Sequence, residues 1–186
     1  MTRWILTLVC AFGAGSAVVA HAQGQAPAGG AKPAAGTYSG GLPATYLPLT
    51  DVQKFLQALP KDVITDAAIR TVDVGGYRVG VYGVFRPKTE PGDAIAHEVR
   101  TTEIYYIVKG GGTLVTGGTI TGIKPPPAGR NAGPRGDKIE GGVVRHVTVG
   151  DIIIIPGRTP HWWSSLDSDI NYLIYRPDPD SRLTLK

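Results

Sequence analysis

The chain has 186 residues, with 19 Lys and Arg against 15 Asp and Glu and a net charge of +4. That length suits one domain of ordinary size, and so small a positive excess argues against a nucleic-acid surface, since Arg130, Arg135 and Lys138 fall together in one loop-like stretch. Its one Cys and one Met are Cys10 and Met1, both in a segment expected to be removed, which excludes a disulfide framework, a cysteine nucleophile and a blue-copper site from the mature chain.

Arg3 is followed by the apolar run Trp4 to Ala20, and Ala20-His21-Ala22 has the small-x-small form of a signal-peptidase site. Residues 1–22 therefore read as a signal peptide, and the run ends too soon to be a stable membrane anchor. A lipoprotein reading through Cys10 fails on Val9, which is large where that cleavage needs a small residue. The mature protein is expected to be periplasmic or secreted. Residues 23–41 are mostly Ala, Gly, Pro and Gln, a composition that predicts a disordered linker.

The single folded domain is expected over 42–186. Thr50-Asp51-Val52-Gln53 fits a capping box, and Val52, Phe55, Leu56 and Leu59 follow at helical spacing before Pro60, so one short N-terminal helix is predicted. From there the pattern is that of strands: Ala67 to Val74, Tyr77 to Arg86, Glu103 to Lys109, Gly112 to Gly122, Gly142 to Val149, Asp151 to Ile155 and Ile170 to Arg176. Many short strands with almost no helix predict an all-β sandwich or barrel. The prolines between Lys124 and Asp137 bar that stretch from a central strand, leaving a surface loop or, alternatively, a lid over the barrel mouth.

Three residues carry the chemistry. In a strand His97 and Val99 share a side; Arg100-Thr101-Thr102 can turn the chain, and Glu103, Tyr105 and Ile107 then lie on one face of the next strand. A carboxylate on an inward face is costly unless paired or coordinated. By themselves these residues fit either a metal centre completed by His161 or a rim ion pair of His97 and Glu103 with an ordinary turn histidine.

The spacing of these residues carries a resemblance, and the resemblance favours the metal centre. His97 and Glu103 are followed by Gly110 after six residues, and Gly150 is followed by five residues, Pro156, and His161. These stretches, covering roughly 67 to 176, resemble the paired motifs of the cupin superfamily, G-x5-H-x-H-x3,4-E-x6-G and G-x5-P-x-G-x2-H-x3-N. The departures include Val99, which stands for the second histidine, Arg158 for the glycine after the proline, and Ser165 for the asparagine. The resemblance implies a double-stranded β-helix, the cupin jelly-roll barrel, with His97, Glu103 and His161 as ligands of a divalent transition metal. Two histidines and one carboxylate are similar to the facial triad of non-haem iron enzymes, which favours Fe(II), with Mn, Zn, Ni or Cu as alternatives.

Tyr105, on the face of Glu103, is a candidate catalytic residue as a proton donor, or else a filler of the barrel. Trp163 reads as core. Arg78, Tyr82 and Arg86 share a strand parity that could place a cation near the mouth or turn it to solvent, and His146 lies outside both motifs. The expected function is a metal-dependent, dioxygenase-type enzyme acting on a small oxygen-rich molecule; the alternatives are a non-catalytic small-molecule binder and an isomerase or lyase with a redox-inert metal. A small-molecule substrate is the implied partner, with no nucleic acid and with room for a homodimer. Mass spectrometry of exported protein is expected to show a chain beginning at Gln23, whereas full-length protein in the membrane fraction would contradict the signal peptide.

Overall fold

The computed structural model describes residues 41–97, 100–125 and 133–186. The expected signal peptide, the expected linker up to residue 40, Val99 and the middle of the Lys124–Asp137 insertion lie outside the described residues. Within them one helix, α1 (Leu49–Ala58), precedes the strands β1 (Thr65–Asp73), β2 (Arg78–Arg86), β3 (Ala94–Ile95), β4 (Glu103–Lys109), β5 (Gly112–Thr116), β6 (Thr119–Thr121), β7 (Arg135–Gly136), β8 (Lys138–Glu140), β9 (Val143–Val147), β10 (Ile152–Ile155), β11 (His161–Leu166) and β12 (Ile170–Asp178).

Two five-stranded antiparallel sheets carry the fold, in the orders β1-β2-β12-β4-β10 and β7-β3-β11-β5-β9. The pairing is nested: β2 bonds β12, β3 bonds β11, β4 bonds β10 and β5 bonds β9. One long antiparallel ribbon has thus been rolled up, and the roll is closed by the β4·β12 and β5·β11 pairs. This is the double-stranded β-helix, all-β with one short helix, that the motifs implied. Rolling leaves few free edges, because most strands of the ribbon gain a second neighbour.

Side-chain alternation decides what lies between the sheets. Glu103, Tyr105 and Ile107 of β4 point inward while Ile104, Tyr106 and Val108 point outward. From β12 come Ile170, Tyr172 and Ile174, from β11 Trp163 and Leu166, and these pack with Val84, Leu114, Val147 and Ile155 into the main core. A second apolar cluster forms on the outer face of the first sheet, where Leu56 and Leu59 meet Phe85 and Leu173. Gly83 makes that contact close: a Cβ there would stand 2.9 Å from Leu56 Cδ2 and 3.0 Å from Phe55 Cδ1.

Several local expectations are corrected. The helix begins ahead of the proposed capping box: Pro48 is its N-cap, its carbonyl accepting from the amides of Asp51 and Val52, with no side-chain cap. Pro48 has φ −59°, the value its ring fixes, and this presets the turn without help from Thr50. The expected strand over Gly112 to Gly122 is two strands, broken at Gly117 and Gly118, both with left-handed backbone (φ 72° and 73°). Strand β11 had no place in the sequence-based pattern, since His161-Trp162-Trp163-Ser164-Ser165-Leu166 mixes polar and apolar residues without clean alternation. The insertion's flanks are ordered rather than loose: Lys124 bridges Arg135, and β7 pairs with β3.

The two faces of the β4·β10 pair give a direct test of this assignment. Ile107 is 0% exposed and Ile152 is 66% exposed. Ile107→Ala is expected to lower unfolding free energy by about 2–5 kcal/mol and Ile152→Ala by no more than about 0.5 kcal/mol, measured by urea denaturation.

Candidate metal centre

Glu103 opens β4, His161 opens β11, and His97 follows β3, so the three come from the same end of the two facing sheets. Antiparallel register holds them there: Glu103 is opposite Ile155 of β10, and His161 is opposite Ile95 of β3. The turn before His161 runs through Pro156-Gly157-Arg158-Thr159, with the Thr159 amide donating to the Pro156 carbonyl. Gly157 has no room for a side chain, because a Cβ would lie 2.7 Å from Arg100 Cα. Arg158 occupies the place of the motif's glycine and still takes the left-handed backbone, φ 67°, a conformation that costs a non-glycine residue roughly 1–2 kcal/mol.

The three side chains converge. His97 Nε2 lies 3.2 Å from Glu103 Oε1, and His161 Nε2 lies 3.4 Å from Glu103 Oε2. The imidazole centroids are 5.3 Å apart, and one donor atom from each residue fits within a mutual spread of 4.8 Å. Glu103 is 2% exposed, so its charge must be met from within the protein. Arg176 of β12 meets it, with Nη2 at 2.6 Å and Nε donating at 2.8 Å to Oε1, while the Tyr105 hydroxyl donates to Oε2 at 3.0 Å. Arg176 is itself shared with Asp66 of β1, 2.5 Å away, and lies over the Tyr82 ring with its Cζ 4.1 Å from the centroid.

Charge and burial act in opposite directions here. Burial would push the Glu103 carboxyl up, but the hydrogen bond from His97 and the charge of Arg176 outweigh it, with the two imidazoles adding to this whenever they are protonated, and hold the group far below the usual carboxylate range. Burial lowers the pKa of His161, only partly offset by Glu103. The Tyr105 phenol is pushed well up, first by burial and then by the Glu103 charge, and stays protonated.

One detail tests whether a cation fits. His161 Nδ1 lies 2.9 Å from the Thr159 carbonyl, which can only accept, so Nδ1 carries the proton and Nε2 presents a bare lone pair. That buried Nε2 has no hydrogen-bond partner among the described residues, yet it faces a carboxylate oxygen. Two lone pairs facing each other in a buried pocket repel, and a positive ion between them removes the conflict. The second-sphere bond from Nδ1–H to a carbonyl is also what orients a ligating histidine. The residues present thus fit a divalent metal.

The other expected residues are distributed as follows. Trp163 is core, 5.9 Å from Tyr172. Arg78 turns away to the carbonyls of Ser181 and Leu183, and His146 is exposed on β9 against Asp167. Arg86 does stand near the mouth. Sequence reasoning missed Arg176 and Asp66, although a signal existed: Arg176 continues the inward parity of Ile170, Tyr172 and Ile174, and a charged residue on a core-facing position points to a buried partner.

No protein-family model matches the sequence, and no curated protein matches it. Among solved structures, the chain is similar in fold to an RmlC-like cupin protein from Desulfovibrio desulfuricans (13% identity, 66% of this chain and 91% of that one, TM-score 0.41). It is likewise similar to the TT1209 protein from Thermus thermophilus (12% identity, 68% and 93%, TM-score 0.42). A third likeness is to the DMSP lyase DddQ from Ruegeria pomeroyi (14% identity, 78% and 79%, TM-score 0.44).

The protonation pattern predicts an acid response with a definite sign. His161 is lowered from its ordinary 6.5 and Glu103 from its ordinary 4.5, so in both cases the unfolded chain binds protons that the folded chain refuses. Stability of metal-free protein is expected to be full above about pH 6.5, to fall below it as unfolded His161 protonates, and to fall again below about pH 4.5 as Glu103 does. Urea midpoints from pH 7.5 to 3.5 measure this; Glu103→Gln is expected to flatten the lower limb, and stability rising between pH 6.5 and 5 would contradict the assignment.

Proposed function

We propose that the protein holds a divalent transition metal at His97, Glu103 and His161 and acts enzymatically on a small oxygen-rich molecule, with an oxygenase-type reaction when the metal is Fe(II). The observation that carries this reading is the unpartnered Nε2 of His161, a buried lone pair aimed at the carboxylate of Glu103. Two imidazole nitrogens and one carboxylate oxygen suit Fe(II), Mn, Zn, Ni or Cu, and a three-residue set leaves coordination positions for substrate. When bound, such a metal supplies Lewis acidity and, if redox-active, electron transfer to a coordinated oxidant.

The chain's own residues supply the rest. Arg176, tied back by Asp66, holds Glu103 ionised and fixes its carboxylate plane. Tyr105 keeps its proton at the hydroxyl, on Glu103 Oε2, where it is placed to donate to a substrate oxygen that develops negative charge. Thr159 holds His161 in the Nδ1-protonated form. Tyr172, Tyr105 and Trp163 close the floor of the site against water from the core side. The apolar signal-like segment supports an exported protein, periplasmic or secreted.

A second reading has its own support. Arg176 already neutralises Glu103, which weakens the carboxylate as a metal ligand and favours a small-molecule binder or a redox-inert metal. Metal analysis and oxygen uptake separate these. Ala in place of His97, Glu103 or His161 is expected to strip most of the metal and leave the fold intact, and His146→Ala to leave metal content unchanged. Iron-loaded protein mixed anaerobically with small phenols, keto acids and hydroxy acids is expected to consume oxygen when it is admitted; Tyr105→Phe should keep the metal and slow uptake by about a hundredfold, the low end of general-acid effects. No uptake with zinc as the native metal would favour lyase or isomerase chemistry, and recovery without metal would favour the binder.

A further inference from the structure

Beside the metal centre lies a cavity of about 370 Å³ whose walls include His97, Arg86, Asp66, Asp93 and the backbone around Gly92. Most of its charged side chains have an ion-pair partner in place. Asp66 is bound to Arg176 at 2.5 Å, and Asp93 is bound to Arg135 at 2.6 Å and to Lys124 at 2.7 Å. Glu90 is exposed at the rim, where water screens it.

Arg86 is the exception. It is partly buried, and among the described residues it forms no ion pair. Its contacts orient it without neutralising it: Nε donates to the Tyr172 hydroxyl at 2.9 Å, and Nη1 donates to the Pro91 carbonyl at 2.7 Å. Tyr172 is 1% exposed, so the hydroxyl that aims the guanidinium is itself held by the core. Gly92 leaves the space the fork needs, since a Cβ there would stand 2.6 Å from Nη1. The Trp162 indole donates to the Gly92 carbonyl at 3.1 Å and pins that segment. A guanidinium has five N–H donors in a rigid fork. Two neutral acceptors account for part of them; the Asp66 carboxylate across the cavity acts on Arg86 through its charge without touching it, and the remaining donors leave an edge that an anion in contact would satisfy.

We infer that Arg86 anchors a carboxylate of the substrate, so that the site takes a small carboxylic acid whose other oxygen-bearing end lies against His97. This deepens the proposed function by naming the substrate class; the anchor stands on Arg86 alone, while the placement of the far end rests on the metal-centre reading. The uncharged walls from Ile64, Ile95 and Ala96 give the body of such an acid an apolar seat.

Binding of lactate and lactamide, and of benzoate and benzamide, to the full chain tests this by titration calorimetry and ligand-observed NMR, in metal-free and zinc-loaded protein. The two carboxylates are expected to bind metal-free protein and the two amides not. Arg86→Gln should weaken carboxylate binding by about tenfold or more, the scale of a charge-assisted bond. Arg86→Lys keeps the charge without the fork and should fall between Arg86→Gln and wild type. Tyr172→Phe keeps the ring and removes the orienting hydroxyl, and a loss of roughly threefold to tenfold is expected. Because it is close to isosteric, it serves if Arg86→Gln does not fold. Zinc affinity should be unchanged in all three variants. Equal binding of acid and amide, no carboxylate binding by wild type, or full binding by folded Arg86→Gln would each overturn the anchor. Failure of wild type to bind zinc would instead remove the metal reading and leave the anchor to be judged on the metal-free titrations.

Discussion

A single buried carboxylate organises this molecule. Glu103 sits inside a β-barrel at 2% exposure, and an unpaired ion there would be strongly destabilising. Everything near it answers that demand: a guanidinium on one oxygen, a phenol on the other, and an imidazole facing each. Asp66 in turn takes the other edge of Arg176, so the group of Glu103, Asp66 and Arg176 carries one net negative charge rather than none. With neutral imidazoles, that residual charge is what a divalent cation would meet, and it keeps the site attractive to metal despite the arginine.

The fold supplies the convergence that the chemistry needs. Because each strand of the first half of the ribbon bonds one of the second half, residues far apart in sequence arrive at the same end of the barrel. Arg176 is separated from Glu103 by 73 residues and from Asp66 by 110, yet all three meet through the pairings of β12 with β4 and β2 and of β2 with β1. The core strand positions Ile107, Tyr172 and Ile174 then keep β4 and β12 from sliding, since a one-residue slip would turn Glu103 outward.

What could be read from the sequence follows from this. The convergence of His97, Glu103 and His161 was legible through the spacing of the two motifs they resemble, since by themselves these residues also fitted a rim ion pair, and the inward face of β4 was legible from its period-two alternation. The partners of Glu103 were not: no local pattern says which cation comes to a given carboxylate, and only the parity of Arg176 within β12 hinted at burial. The helix start was misjudged for a different reason. Thr50-Asp51-Val52-Gln53 has capping chemistry, but Pro48 had already fixed the backbone, and a preset φ overrides a side-chain option. Strand β11 escaped because its register shifts between Trp163 and Ser165, so that His161, Trp163 and Leu166 are the buried positions and the period of two is broken. Val99, the most telling departure from the motif, lies outside the described residues.

The nested pairing also sets an order of assembly. Within the nested ribbon the innermost pair, β6 with β8, closes the shortest loop and has the smallest entropy to overcome; on that ground β5 with β9, β4 with β10, β3 with β11 and β2 with β12 are expected to follow as the ribbon zips outward. Glu103 therefore joins early, His161 meets β3 later, and Arg176 is delivered near the end by the outermost pair. In an unrolled chain His97, Glu103 and His161 stand too far apart to share one ion, and a centre would come into being only once the roll was nearly complete. Metal choice would then be made in the compartment where folding finishes.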